Sequence, residues 1–153
     1  MTTAPVQLRR AGLADVDAIV ALLTELGYTS SREDLLRRLP PLLSDQTQCV
    51  FVAEDSPGTV VGCMHIGLES NLVTDHAALI MAMVVASTHR RRGIGRALVL
   101  AGEEWARAQG VASVRVRTNA IRPEAPAFYA GLGYTKTKTQ FAFRKNLGAV
   151  AAP

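Results

Sequence analysis

The sequence predicts a single α/β domain: a mixed, mostly antiparallel sheet flanked by helices, in the order β-α-α-β-β-β-α-β-α-β. Three observations lead there. Short apolar alternations of period two are interleaved with segments of helical period. Residues Ala77 to Val85 form a nearly continuous apolar run, which suits a central strand covered on both faces. That run passes through a glycine-containing turn directly into an amphipathic helix.

Each element has a local cause. Val6, Leu8 and Arg10 start a short first strand. Ile19, Leu22, Leu23 and Leu26 recur at helical spacing, with Asp15 and Asp17 before them and Gly27 after, the charges and stop residue that helix ends favour. A second helix is expected from Ser30 or Ser31, because Ser30 with Glu33 and Ser31 with Asp34 both have capping-box spacing. Pro40 and Pro41 are expected to limit or bend it. Cys49 to Ala53 and Thr59 to about Leu68 read as an antiparallel hairpin across Asp55-Ser56-Pro57-Gly58. Residues 71–76 are a polar loop before the central strand. After the basic turn comes a helix from about Gly95 to Gln109, closed by Gly110. Val111 to Thr118 alternates Val114, Val116 and Thr118 against Arg115 and Arg117, a strand. A short helix should cover Glu124 to Leu132, and Phe141 with Phe143 marks a last strand.

The composition narrows the class. The 153 residues suffice for one sizeable core, and 48% hydrophobic with 20% charged residues is a globular balance. The ordered core should span about residues 6–147, with a loose C-terminal tail. Cys49 and Cys63 lie in apolar runs without a CxxC pair, so free buried thiols in a reducing cytoplasm are expected. No apolar h-region follows Arg9 and Arg10, and the longest apolar run is too short to span a bilayer, so no membrane partner is expected. His65, His76 and His89 lack metal-ligand spacing, so no metal is expected. The net charge of +4 favours anionic partners. Arg90, Arg91 and Arg92 cluster at the turn without RNA-binding aromatics or zinc-finger spacing, which argues for a phosphorylated small molecule rather than nucleic acid.

The sharpest feature is Val84-Val85-Ala86-Ser87-Thr88-His89-Arg90-Arg91-Arg92-Gly93-Ile94-Gly95-Arg96. A strand, a glycine turn and a helix N-terminus in succession make a phosphate cradle: the glycines allow close approach, and the first helical N–H groups have no internal partner. A P-loop would need Gly-Lys-Ser/Thr before the helix, which is absent. A dinucleotide fingerprint would need a small residue where Leu98 stands and an acid at the end of the next strand.

The motif Arg90-x-x-Gly93-x-Gly95 resembles instead the cofactor-binding turn of the GCN5-related N-acetyltransferase (GNAT) superfamily. The resemblance continues through Asn119-x-x-Arg122 and Ala127-Phe128-Tyr129-x-x-Leu132-Gly133-Tyr134, over roughly residues 6 to 145. It implies a splayed sheet of the acyl-CoA N-acyltransferase type and transfer of an acetyl group from acetyl-CoA to a primary amine of a small molecule or peptide, by direct attack in a ternary complex. It implies that the backbone of Arg91, Arg92, Gly93, Ile94, Gly95 and Arg96 cradles the pyrophosphate, with Arg90 adding charge, and that Met83, Val84 and Val85 offer edge groups to the pantetheine arm. Asn119 is a further cofactor contact or a turn residue. By the same resemblance, the Tyr129 hydroxyl lies near the thioester sulfur as a general acid, or else Tyr129 packs beside Phe128. Many family members carry a glutamate on the central strand as base; here residues 77–83 hold no ionisable group. His65, Glu69, Asp75 and His76 are the nearest candidates, with a water relay ending on Glu69 or His65 preferred. Glu25, Glu69 and Asp75 are equally surface charges or anchors for a cationic acceptor. A non-catalytic acyl-CoA-binding regulatory module is the alternative reading, and a homodimer is left open.

Overall fold

The computed structural model describes residues 6–56, 58–118 and 123–150. Five strands lie in the order β1 to β5: Gln7–Arg10, Gln48–Ser56, Thr59–Glu69, Ala77–Val85 and Val114–Val116. The first four pair antiparallel in succession, and β5 joins β4 in parallel. Helices α1 (Val16–Leu26) and α2 (Arg32–Ser44) precede β2, and α3 (Ile94–Ala108) links β4 to β5. This is the expected mixed, open α/β sheet.

Side-chain alternation along β3 sorts the two layers. An added Cβ at Gly62 would meet Leu98 and Ile94, and one at Gly102 would meet Met64 and Ile66, so Gly62, Met64 and Ile66 face α3. Cys63 turns to the other face, where it joins a buried cluster with Val50, Val52, Val84 and the α1–α2 residues Val16, Ile19, Leu22, Leu35 and Leu39. Arg9 fastens the first crossover. Its guanidinium donates to both oxygens of the buried Asp15 at 2.8 Å and to Glu54 on β2 at 3.0 Å. The guanidinium is the main reason the Asp15 carboxyl sits below its ordinary pKa.

Of the two capping boxes the sequence allows, Ser31 with Asp34 forms: the Asp34 N–H donates to the Ser31 hydroxyl and the Ser31 N–H to the Asp34 carboxylate. Pro40 and Pro41 do not end α2, which runs on to Ser44. The burial of Leu35 and Leu39 anchors the helix there, and Ser44 Oγ donates back to the Pro40 and Pro41 carbonyls.

Two expectations are corrected. The strand expected over residues 111–118 has a ladder of only three residues, and the last strand at Phe141–Phe143 does not form. Residues 135–150 are exposed and belong to no strand. Their alternation supplies strand propensity but no partner edge, and a lone strand leaves its polar backbone unpaired.

The chain divides into two units, residues 1–117 and 118–153. The first holds the sheet and α1 to α3. The second holds α4 (Glu124–Gly131), which ends in a turn where Gly133 takes φ +90°.

Candidate functional site

The site begins where β4 loses a neighbour. The β4–β5 ladder pairs Ala78 with Val114, Leu79 with Arg115 and Ile80 with Val116, and then stops. From Met81 to Val85, β4 has β3 on one side and no strand on the other among the described residues. Met81 is also a bulge: Ala82 pairs with His65 and Ile80 with Ile66, leaving Met81 unmatched.

The ladder alternation decides which groups this edge offers. The Ala86 N–H donates to the Val61 carbonyl at 2.8 Å, so Ala86 and Val61 form a hydrogen-bonded pair. Gly62–Val85 is then a non-bonded pair, and so is Met64–Met83. The N–H and C=O groups of Met83 and Val85 therefore turn away from β3, toward the open edge. Val84 is the exception to the sequence expectation. Its backbone pairs with Cys63 and its side chain is buried, so it supports the edge without presenting groups to it.

Beyond Val85 the chain makes a 3-10 turn over Ser87–His89 and enters α3. Gly93 is the N-cap at φ +78°, and a Cβ built there meets nothing within 4 Å. Arg91 holds φ +62° although it has a side chain, a conformation costing about 1–2 kcal/mol in an L-residue. Arg90, Arg91, Arg92, Gly93 and Arg96 are exposed, Gly95 is half-buried, and the Ile94 side chain is buried under the turn. The first N–H groups of α3 thus open onto a basic, sterically empty surface, an arrangement that accepts a pyrophosphate. The residues present fit the cofactor that the sequence motif implies.

Four contacts that sequence reasoning missed hold the turn in place. The Ser87 N–H and hydroxyl donate to the Glu25 carboxylate of α1 at 3.2 and 3.0 Å. The Nε2 of His89 lies 2.9 Å from the Asp55 carboxylate of β2, and Nδ1 lies 2.7 Å from the Thr88 hydroxyl. Arg90 Nε reaches the outward Val85 carbonyl at 3.5 Å. Partners separated by 62 or 34 residues leave no local signal in the sequence.

The candidate proton-transfer residues do not come together. His65 lies on the α1–α2 face, opposite Ala82, three residues or about 10 Å along the strand from Val85. Its Nε2 meets Gln48 Oε1 at 2.6 Å. An oxygen partner makes Nε2 the protonated nitrogen and leaves Nδ1 a free lone pair. Burial lowers the imidazole pKa below its ordinary 6.5, so the ring is neutral at pH 7. Glu69 pairs with Ala77, eight residues or about 26 Å from Val85, and is bridged by Arg115 at 3.3 Å and Arg117 at 3.2 Å. Asp75 and His76 are exposed in the loop before β4. Glu25, offered by the sequence as a substrate anchor, is engaged by Ser87. Tyr129 is buried in the second unit, in edge-to-face contact with Phe128 at 4.9 Å and Tyr134 at 5.6 Å. Burial pushes its phenol up to about 12, so it carries its proton at neutral pH. Asn119 and Arg122 lie outside the described residues. Among the described residues no cluster of three or more His, Cys, Asp or Glu side chains gathers around a common point, and no helix is long and apolar enough to cross a membrane.

Comparison with known proteins places the fold and the sequence in a family. The family model described as "Acetyltransferase (GNAT) family" matches residues 16–134. Aminoglycoside N(6')-acetyltransferase type 1 of Serratia marcescens is 26% identical over 138 residues, 88% of this chain and 94% of that protein. A putative acetyltransferase from Agrobacterium tumefaciens superposes with a TM-score of 0.79 at 26% identity, over 91% of this chain and 99% of the other. The apo aminoglycoside 6'-N-acetyltransferase AAC(6')-IG from Acinetobacter haemolyticus reaches a TM-score of 0.81 over 93% and 99% of the two chains at 18% identity, a likeness of fold.

Proposed function

The chain belongs to the acetyltransferase (GNAT) family, whose acetyl donor is acetyl-CoA, and from that premise we propose that it acetylates a primary amine of a small molecule by direct attack while both substrates are bound. The observation that carries the proposal is the open edge of β4 from Met81 to Val85, continuous with the glycine turn at the start of α3. The edge takes an extended, amide-containing arm by strand addition, and the helix N-terminus takes the anionic end of the same molecule. Bound acetyl-CoA supplies the thioester whose carbonyl carbon is attacked.

The chain's own groups then divide the work. The outward N–H of Val85 polarises the carbonyl oxygen, as an oxyanion-type donor. The exposed Arg90, Arg91, Arg92 and Arg96 neutralise phosphate charge. His65 takes the amine's proton, directly or through water: its ring is neutral at pH 7 and Gln48 holds its tautomer. Glu69, held by two arginines at the far end of β4, is left with a structural role in this reading. Tyr129 supplies a proton to the departing thiolate. Most of the rate comes from holding amine and thioester together, since little covalent chemistry is asked of the protein.

The small-molecule acceptor follows the Serratia relative, which matches nearly end to end and is an aminoglycoside acetyltransferase. A cytoplasmic location suits the free, buried Cys49 and Cys63. The test is thiol release from acetyl-CoA against a panel of aminoglycosides, polyamines, amino acids and lysine- or N-terminal-amine peptides. Turnover with a small amine and none with peptides is expected. Thiol release that no amine raises above hydrolysis would sink the proposal.

A further inference from the structure

Nothing in the backbone of β3 asks for glycine at residue 67. Gly67 does not take a positive φ, and it sits in register with Gln48 on β2 and Leu79 on β4. Glycine inside a strand weakens it and marks a place where another group comes close. Here the close group is polar. A Cβ built on Gly67 would lie 2.8 Å from both Cδ and Nε2 of Gln48, and closer still to Oε1. At Gly62 and Gly102 the side chains met are instead apolar: Leu98 and Ile94, Met64 and Ile66.

The Gln48 carboxamide thus lies in the space that a side chain at residue 67 would fill. From there its Oε1 meets His65 Nε2 at 2.6 Å. Residues 65 and 67 share one face of β3, with Val50 and Gln48 opposite them on β2. Gln48 therefore leans across Gly67 to its diagonal neighbour, a reach that long side chains make. We propose that Gly67 is a positioning residue for proton removal: the side chain it lacks leaves the place from which Gln48 holds the His65 ring. This role rests on His65 being the group that takes the amine's proton.

An oxygen at Nε2–H keeps the lone pair on Nδ1. Without that oxygen the ring is free to turn over and to exchange tautomers. Its surroundings hold no charged substitute. Its cross-strand neighbours are Val50 and Ala82, and the same face of β3 carries Cys63 and Glu69. Burial pushes the Cys63 thiol up to about 12, and Glu69 is held by Arg115 and Arg117. The helices lay apolar side chains on this face, and the buried Asp15 before α1 is taken by Arg9. Burial, with no charged neighbour contributing, is what lowers the imidazole pKa. The amide that a methyl at residue 67 would strike is the far end of a flexible side chain. Gly67→Ala therefore moves the amide with little effect on folding.

Nitrogen NMR of the three histidines, at a pH where they are neutral, reads the contact without turnover. Wild-type His65 should show one tautomer, with the proton on Nε2. Gly67→Ala and Gln48→Ala should each shift the ring signals toward a tautomer mixture. With an amine of high pKa, each variant should lower kcat/KM about two- to tenfold, the worth of one hydrogen bond, and leave the acetyl-CoA melting shift unchanged. The double variant should fall no further than either alone, because Gln48→Ala has already removed the amide through which Gly67→Ala acts. Losses that multiply, or His65 signals that stay put in Gly67→Ala, overturn the proposal. Should Gly67→Ala fail to fold alone, the double variant should fold, since removing the amide clears room for the methyl; failure of both overturns the proposal. His65→Gln separates this role from the reading beneath it. If His65→Gln leaves kcat/KM unchanged while Gly67→Ala still moves the ring, His65 is not the proton acceptor and the role of Gly67 falls with it. If His65→Gln lowers kcat/KM and Gly67→Ala leaves the ring in place, the role of Gly67 alone is refuted.

Discussion

Gly93 is the residue where backbone conformation and ligand binding can be separated by substitution. It caps α3 at φ +78°, and an added Cβ meets nothing within 4 Å. Gly93→Ala therefore costs no collision. It costs about 1–2 kcal/mol for holding an L-residue in the left-handed region, of which about 0.4–1 kcal/mol returns through the stiffer unfolded chain. The net loss, about 1 kcal/mol, should lower Tm by roughly 2–4 °C for a chain of this size. Gly93→Glu carries the same backbone cost and adds a carboxylate where the phosphates would sit. Acetyl-CoA at about a hundred times its Kd should stabilise the wild type by about 2.7 kcal/mol, a rise of roughly 5–10 °C.

The assay is a thermal melt of wild type, Gly93→Ala and Gly93→Glu, each alone and with acetyl-CoA, NAD or ATP. Without ligand the two variants should melt together, slightly below wild type. With acetyl-CoA the Ala variant should recover at least part of the wild-type rise, and the Glu variant none. NAD and ATP should do much less than acetyl-CoA for the wild type. A Glu variant that keeps the full acetyl-CoA shift would remove the α3 N-terminus from the binding site and with it the reasoning above.

Three other outcomes are expected. Tyr129→Phe should lower turnover on the order of a hundredfold while leaving the acetyl-CoA melting shift intact; unchanged turnover would mean that the phenol only packs against Phe128 and Tyr134. Asp15→Asn should destabilise the fold by about 1.5 kcal/mol at pH 7, the low end for a hydrogen bond between charged groups, because Arg9 keeps Glu54 and is 36% exposed. The Asp15 carboxyl has a folded pKa below its ordinary 3.8, so its contribution is whole above that value and is lost as pH falls further; urea melts should show the mutational difference shrinking below about pH 4. For His65 the neutral ring is the active form and burial lowers its pKa, so the acid limb of kcat/KM should lie at lower pH than an ordinary imidazole would set, and His65→Gln should abolish it.

Most of the sheet was legible because its signals are local. The apolar run of β4, the alternation of β2 and β3 and the Ser31–Asp34 box each need only a few neighbouring residues to be read. The cofactor turn was legible for the same reason: Arg90, Gly93 and Gly95 lie within six residues. What escaped depends on distant partners. Nothing near Glu25 or Asp55 announces Ser87 or His89. The direction of the Val84 backbone depends on register with β3, which the sequence alone does not set. Phe141 and Phe143 have the propensity of a strand, but residues 135–150 form none. Propensity was read correctly there, and pairing, which lies outside the segment, was not.

The bare β4 is better understood beside the fate of the chain's acids. Asp15 and Glu54 hold Arg9, Glu25 holds Ser87, Asp55 faces His89, and Glu69 is bridged by Arg115 and Arg117. These carboxylates are committed to architecture. His65 is the group close to the open edge of β4 that is neutral at pH 7 with a free lone pair. If it takes the proton, its value depends on how tightly the acceptor holds that proton. An amine of ordinary lysine type, pKa about 10.4, arrives almost wholly as ammonium at pH 7 and needs the acceptor. An amine of pKa near 7 arrives half neutral and needs it far less. The loss in kcat/KM caused by His65→Gln should therefore shrink steadily as amine pKa falls across a series of otherwise similar acceptors, while the acetyl-CoA melting shift stays constant. A loss of equal size for every amine would mean that His65 shapes the site through Gln48 and β3, and that the proton leaves by water alone.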